Sequence, residues 1–76
     1  MNEKLVRLLS DTLGLDVSAI CAETAMANTP AWDSIAHLNV CMAVEAEFGL
    51  SLSPEEMIEM TGVAAIEAVL RKRVVA

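Results

Sequence analysis

Asp33, Ser34 and His37 are the residues whose types and spacing could do chemistry. They open a strongly apolar run that predicts a helix. A serine at a helix start can carry a phosphate ester at low electrostatic cost, because the first turn offers unpaired backbone N–H groups and the positive end of the helix dipole. We therefore predict that the Ser34 hydroxyl is a point of covalent attachment.

The same residues invite a hydrolase interpretation, with His37 one turn beyond Ser34. A hydrolase also needs an oxyanion hole, a substrate cleft and an oriented base. One short helix in a chain of 76 residues supplies none of these, so we expect a protein that is not an enzyme. We expect His37 to line the core near the attachment point.

Length and composition predict one all-α domain over residues 1–76. Apolar residues make up 55% of the chain, yet its aromatic residues are limited to Trp32 and Phe48. The core must then consist of aliphatic side chains and methionine, as in packed helices. So short a chain buries too little surface to hold a deep cleft as well.

The net charge of −6 makes nucleic acid and anionic membranes poor partners and basic protein surfaces good ones. We expect a monomeric cytoplasmic protein, since no stretch is long and apolar enough to cross a bilayer and the N-terminal residues do not resemble a signal peptide. Cys21 and Cys41 lack metal-ligand spacing, so we expect reduced thiols and no metal site. Cys41 is predicted to be a small buried hydrophobe.

Apolar periodicity and helix stops predict two long helices on either side of a long loop. The first covers 3–13 and ends at Gly14, and the second runs from about 33 to 48 and ends at Gly49. The loop between them has no sustained period. The loop residues expected to pin it across the bundle are Val17, Ile20 and Met26.

Two shorter segments complete the expected four-helix bundle. Ser53-Pro54-Glu55-Glu56 is a capping-box pattern that begins a short third helix, which ends near Met60. Thr61 is expected to cap a fourth helix that reaches about Arg73. The residues expected to face inward from this helix are Val63, Ile66, Val69 and Leu70.

The second helix has two apolar faces, more than a small core needs. One face holds Val40, Cys41, Val44 and Phe48. The other holds Ile35, Leu38 and Met42, which we call the docking stripe because it adjoins Ser34, and a modified Ser34 must stay reachable. The alternative is that the loop covers this stripe, which would then be core.

Acidic residues frame the second helix, among them Asp33 and Glu45. They are either a solvated face or a field that steers a basic partner onto the docking stripe. Trp32 either lies against a group attached to Ser34 or anchors the loop to the bundle, and anchoring is favoured because a lone indole is mainly buried area.

The chain resembles free-standing acyl carrier proteins over nearly its whole length. The segments that carry the resemblance are Leu13-Gly14-Leu15, Asp33-Ser34-Ile35, Glu45-Ala46-Glu47-Phe48-Gly49-Leu50, Ser53-Pro54-Glu55-Glu56 and Thr61-Gly62-Val63. The resemblance implies a four-helix bundle of the acyl-carrier type. It also implies that Ser34 receives 4′-phosphopantetheine from coenzyme A through a separate magnesium-dependent phosphopantetheinyl transferase.

The terminal thiol of that arm would then hold acyl or aminoacyl groups as thioesters for loading and processing enzymes of a fatty-acid, polyketide or related biosynthetic pathway. Asp33 would belong to the surface recognised by the transferase, although an N-cap role explains it equally well.

The chain departs from the fatty-acid carriers at three positions where they often have acids. It has Ala36, Asn39 and Ala46 there. A thinner acidic strip leaves room for a dedicated polyketide, lipid-modifying or aminoacyl pathway. The remaining alternative is an unmodified helical adaptor that grips a partner helix with the docking stripe.

Overall fold

The structure is a computed structural model that describes residues 2–74. Its four α-helices are α1 (Glu3–Leu13), α2 (Ser34–Phe48), α3 (Pro54–Glu59) and α4 (Val63–Val74). Two short 3₁₀ turns, Val17–Ala19 and Met26–Asn28, lie in the loop between α1 and α2. The described residues contain no strand, so the all-α prediction is confirmed. None of their helices is long and apolar enough to span a membrane.

The two long helices begin and end where local chemistry predicts. The Asn2 side chain accepts a hydrogen bond from the Leu5 N–H at 3.2 Å and so caps α1. Gly14 and Gly49 follow α1 and α2 with φ of 69° and 64°, the left-handed conformation that a residue without a Cβ adopts cheaply. The predicted ends of both helices are therefore confirmed.

The capping box of α3 is confirmed. The Ser53 hydroxyl accepts from the Glu56 N–H at 3.1 Å, and the Glu56 carboxylate accepts from the Ser53 N–H at 3.0 Å. The predicted cap of α4 is wrong, because the Val63 N–H instead donates to the Thr24 carbonyl at 2.9 Å. Within residues 2–74 the Thr61 hydroxyl makes no capping bond.

One hydrophobic core joins all four helices and the long loop. The inward-facing residues predicted for α4 are all buried, as are Val40, Cys41 and Val44 of α2, while Phe48 is half-buried against them. The buried apolar residues of this core are Leu5, Val6, Leu8, Leu9, Leu13, Ile20, Trp32, Val40, Cys41, Val44, Leu52, Met60, Val63, Ile66, Val69 and Leu70.

The long loop is an ordered crossover. Ile20 is buried and Met26 packs against the core, as predicted. Val17 is half exposed, so its predicted pinning role is wrong; it begins a 3₁₀ turn whose residues all lie at the surface. The Met26 N–H donates to the Thr61 carbonyl at 2.9 Å and ties the loop to the α3–α4 connection.

That tie explains the glycine at the start of α4. Ala25 and Gly62 form an isolated antiparallel bridge, and a Cβ at Gly62 would lie 3.0 Å from the Ala25 Cβ. A glycine here lets the two backbones approach closely.

Arg73 links the end of α4 to the start of α3. Its guanidinium donates to the Glu56 carboxylate and, at 2.6 Å, to the Ser51 carbonyl. The hydrogen bond from Arg73, followed by the one from the Ser53 N–H, lowers the pKa of the Glu56 carboxyl from its ordinary value.

Glu56→Gln should remove this pH-dependent stabilisation. Because the pKa is lower in the folded chain, the contribution of Glu56 is complete above the ordinary glutamate pKa of about 4.3 and is lost as pH falls through the folded pKa. Urea unfolding of wild type and Glu56→Gln should therefore show a difference at pH 7 that shrinks in acid. Glu55→Gln, the same substitution one residue earlier at an exposed position, is the control. A wild-type advantage that stays constant across this range would contradict the role given to Glu56.

Candidate functional site

Ser34 is the first residue of α2, and its side chain is exposed. Asp33 precedes it in extended conformation, and the Asp33 carboxylate accepts from the Ala36 N–H at 2.8 Å. The N-cap role of Asp33 is therefore confirmed, while its role in partner recognition stays a prediction. The hydroxyl of Ser34 makes no hydrogen bond with the described residues, so it is exposed to solvent at a capped helix start without a protein partner among them.

Trp32 anchors the segment that leads into Ser34. Its side chain is 1% exposed, and the indole N–H donates to Nδ1 of His37 at 3.0 Å. The Trp32 backbone N–H also donates to the Thr29 carbonyl at 2.9 Å. The predicted anchoring role is confirmed, and it places a buried indole two residues before an exposed serine.

His37 lies in the first turn of α2 and is half-buried there, as predicted. Both nitrogens of its ring are hydrogen-bonded. Nδ1 accepts from Trp32, so the proton of the neutral ring is assigned to Nε2, which lies 2.7 Å from the Met57 carbonyl. Since no ring nitrogen is left to accept a proton from Ser34, this arrangement is not a serine–histidine pair. His37 instead connects the loop, α2 and α3.

The docking stripe is exposed. Ile35, Leu38 and Met42 are 77%, 56% and 51% accessible. The alternative that the loop covers them is wrong, because the loop crosses the bundle elsewhere and only the opposite face of α2 enters the core.

The sequence interpretation missed a further exposed apolar residue, Ile58 of α3, which is 74% accessible. Ile58 follows Met57, whose carbonyl is bonded to His37, so it lies on the helix that this bond ties to α2. The sequence signal that could have shown this exposure is the apolar spacing of the short capped helix. Met57 packs against the core and Met60, just after the helix, is buried, while Ile58 between them faces outward.

Along the sequence, the acidic residues are concentrated between two short basic segments near the ends. Residues 8–70 contain no lysine or arginine, and all five basic residues lie at 4–7 and 71–73. Glu45, predicted to bind partners, is half-buried, and its carboxylate accepts from the Leu52 N–H at 2.8 Å. The carboxylates of Glu55 and Glu59, on either side of Ile58, are exposed and form no ion pair within residues 2–74.

The two cysteines are free thiols in different surroundings. Cys41 is buried as predicted, and burial, followed by the negative charge of Glu45, raises the pKa of its thiol. Cys21 is exposed. Within residues 2–74 no three histidine, cysteine or acidic side chains are grouped as a metal ion would need.

Comparison of the chain with models of known protein families and with curated proteins found no match. The candidate site consists of an exposed serine at a capped helix start beside an exposed apolar stripe.

Two leucine truncations should separate the docking stripe from the core. Leu38→Ala should change the free energy of unfolding by no more than about 0.5 kcal/mol, because the side chain is largely in water and alanine favours the helix. Leu9→Ala, the same substitution at a fully buried position of α1, should cost about 2–5 kcal/mol. Urea denaturation measures both. A loss at Leu38 as large as that at Leu9 would mean that the stripe is core.

Proposed function

We propose that the protein is an acyl carrier that holds acyl or aminoacyl groups as thioesters on a 4′-phosphopantetheine arm attached to Ser34. The observation that carries this proposal is the position of Ser34. Its hydroxyl is exposed and unbonded at the first position of α2, and the segment before it is fixed by buried Trp32.

The surroundings of Ser34 suit a phosphodiester. The N–H groups of Ser34 and Ile35 have no acceptor within the described residues, and they lie at the positive end of the α2 dipole. The charge of the Asp33 carboxylate, which would repel a phosphate, is turned toward the Ala36 N–H. These features support attachment of a phosphate ester at this serine.

In the proposed modification, Ser34 Oγ attacks the phosphorus that joins pantetheine to the nucleotide of coenzyme A. The Oγ–P bond forms as the bond from phosphorus to the nucleotide phosphate oxygen breaks. The proton of Ser34 passes to a base of the transferase, since both nitrogens of His37 are already bonded. Once attached, the arm supplies a thiol that carries the cargo as a thioester.

The exposed residues of α2 and α3 support docking to other proteins. The stripe and Ile58 supply apolar surface, and Glu55 and Glu59 supply negative charge. The matching partner surface is an apolar depression with a basic rim. We assign the transferase and the enzymes that load and process the cargo to this class of partner, and we place the protein in the cytoplasm as a monomer.

The exposed stripe also fits a second function, that of an unmodified adaptor that grips a partner helix. An adaptor has no need of a serine at the start of α2, and so the two functions differ in what happens to Ser34.

Intact mass after coexpression with a broad-specificity phosphopantetheinyl transferase distinguishes the two functions. The wild type should gain one phosphopantetheine and Ser34→Ala none. Ser51→Ala, which removes another exposed serine that does not begin a helix, should gain one as the wild type does. An unchanged wild-type mass with every transferase tried would contradict the carrier proposal and favour the adaptor, while a gain that persists in Ser34→Ala would place the arm elsewhere.

A further inference from the structure

The carbonyl of Met57 lies in the last turn of α3, where a helix leaves its C=O groups without an intrahelical donor. The N–H that would reach this carbonyl in a longer helix belongs to Thr61, and it donates instead to the Glu59 carbonyl at 2.9 Å. Among the described residues, the donor to the Met57 carbonyl is Nε2 of His37, at 2.7 Å. A side chain of α2 therefore caps the end of α3.

The other attachments of α3 fix its backbone less directly. At its start, the Glu56 carboxylate is bonded by Arg73. Toward its end, Met57 packs against the core and Met60 is buried, but methionine side chains are flexible and fit several positions of a helix axis. Within residues 2–74, the bond from Nε2 is the hydrogen bond that ties the backbone of α3 to another helix.

The ring that makes this bond is itself held in place. Its Nδ1 accepts from the indole N–H of Trp32 at 3.0 Å, and the bond made by one ring nitrogen sets which nitrogen carries the proton. The proton therefore lies on Nε2, where the Met57 carbonyl needs a donor. Because Trp32 is 1% exposed, a side chain fixed in the core orients the ring toward α3.

We infer that His37 is a positioning residue that fixes, through its bond to Met57, the turn of α3 that carries exposed Ile58 and Glu59. If the proposed function holds, His37 sets the apolar and acidic surface that α3 offers to the phosphopantetheinyl transferase. It does so without contacting the transferase, since the ring is half-buried and both of its nitrogens are bonded within the chain.

Two substitutions separate the two bonds of the ring. In His37→Asn the amide oxygen is one bond from Cγ, as Nδ1 is, so it can accept from Trp32 while no donor reaches Met57. In His37→Gln the amide nitrogen is two bonds from Cγ, as Nε2 is, so it can donate to Met57. Histidine and asparagine have similar helix propensities, so His37→Asn should change α2 itself little.

Hydrogen exchange of the unmodified chain, followed by NMR, tests the position of α3. The reporter is the Met60 N–H, which donates to the Glu56 carbonyl at 3.1 Å. In His37→Asn its exchange should be about 3–10-fold faster, as expected for the loss of one hydrogen bond, while the Leu9 N–H of α1 keeps its wild-type rate. In His37→Gln both N–H groups should keep their wild-type rates.

An unchanged Met60 rate in His37→Asn, an equal increase in His37→Gln, or an equal increase at Leu9 would overturn the inference. A measurement on the wild type does not depend on how the variants fold. Nuclear Overhauser contacts should join the His37 ring to the backbone protons of Met57, and their absence would overturn the inference as well.

The kinetics of modification by a broad-specificity phosphopantetheinyl transferase test the effect on docking. The KM for His37→Asn should rise about 3–10-fold while kcat stays within about twofold, and His37→Gln should keep the wild-type KM. A wild-type KM for His37→Asn would overturn the link between His37 and the transferase. If no transferase modifies the wild type, the carrier proposal fails, whereas hydrogen exchange still decides whether His37 positions α3.

Discussion

The hydrogen bond from the Trp32 indole to His37 is the contact on which the arrangement of the site depends. Trp32 is the largest fully buried side chain of the core, and this hydrogen bond satisfies the indole N–H, the only polar group of that side chain. Because Trp32 lies two residues before Ser34, burial of the indole fixes where α2 begins. The Asp33 cap then orients the first turn, so that Ser34 faces solvent from a rigid base.

The second constraint is that α2 must serve two environments at once. Val40, Cys41 and Val44 face the core, while the docking stripe faces water. Exposed apolar side chains of this size on a small acidic domain are unfavourable for a protein without partners. The exposed carboxylates of Glu55 and Glu59 add negative charge to α3.

Local signals in the sequence predicted most of the fold. Gly14 and Gly49 ended their helices, and the Ser53 box began α3, since each acts within one or two turns of the chain. The predictions that failed depended on distant contacts. The Thr24 carbonyl, rather than the Thr61 side chain, bonds the start of α4. Val17 lies at the surface because of the path that the loop takes.

The same distinction applies to the site. The exposed serine, its cap and the stripe follow from residues adjacent on one helix, so periodicity revealed them. The bond from His37 to Met57 spans 20 residues, and the exposure of Ile58 depends on how α3 lies against α2. Neither is encoded in a local pattern. The structural use of Glu45, whose carboxylate holds the Leu52 N–H, was hidden for the same reason.

Hydrogen exchange of the Trp32 indole N–H at neutral pH tests the central claim most directly, because that claim is that a sealed indole fixes the approach to an exposed serine. The account predicts that this proton exchanges slowly, with protection like that of the buried backbone N–H groups of α1. Exchange as fast as that of a free indole, in a chain whose core amides remain protected, would contradict it.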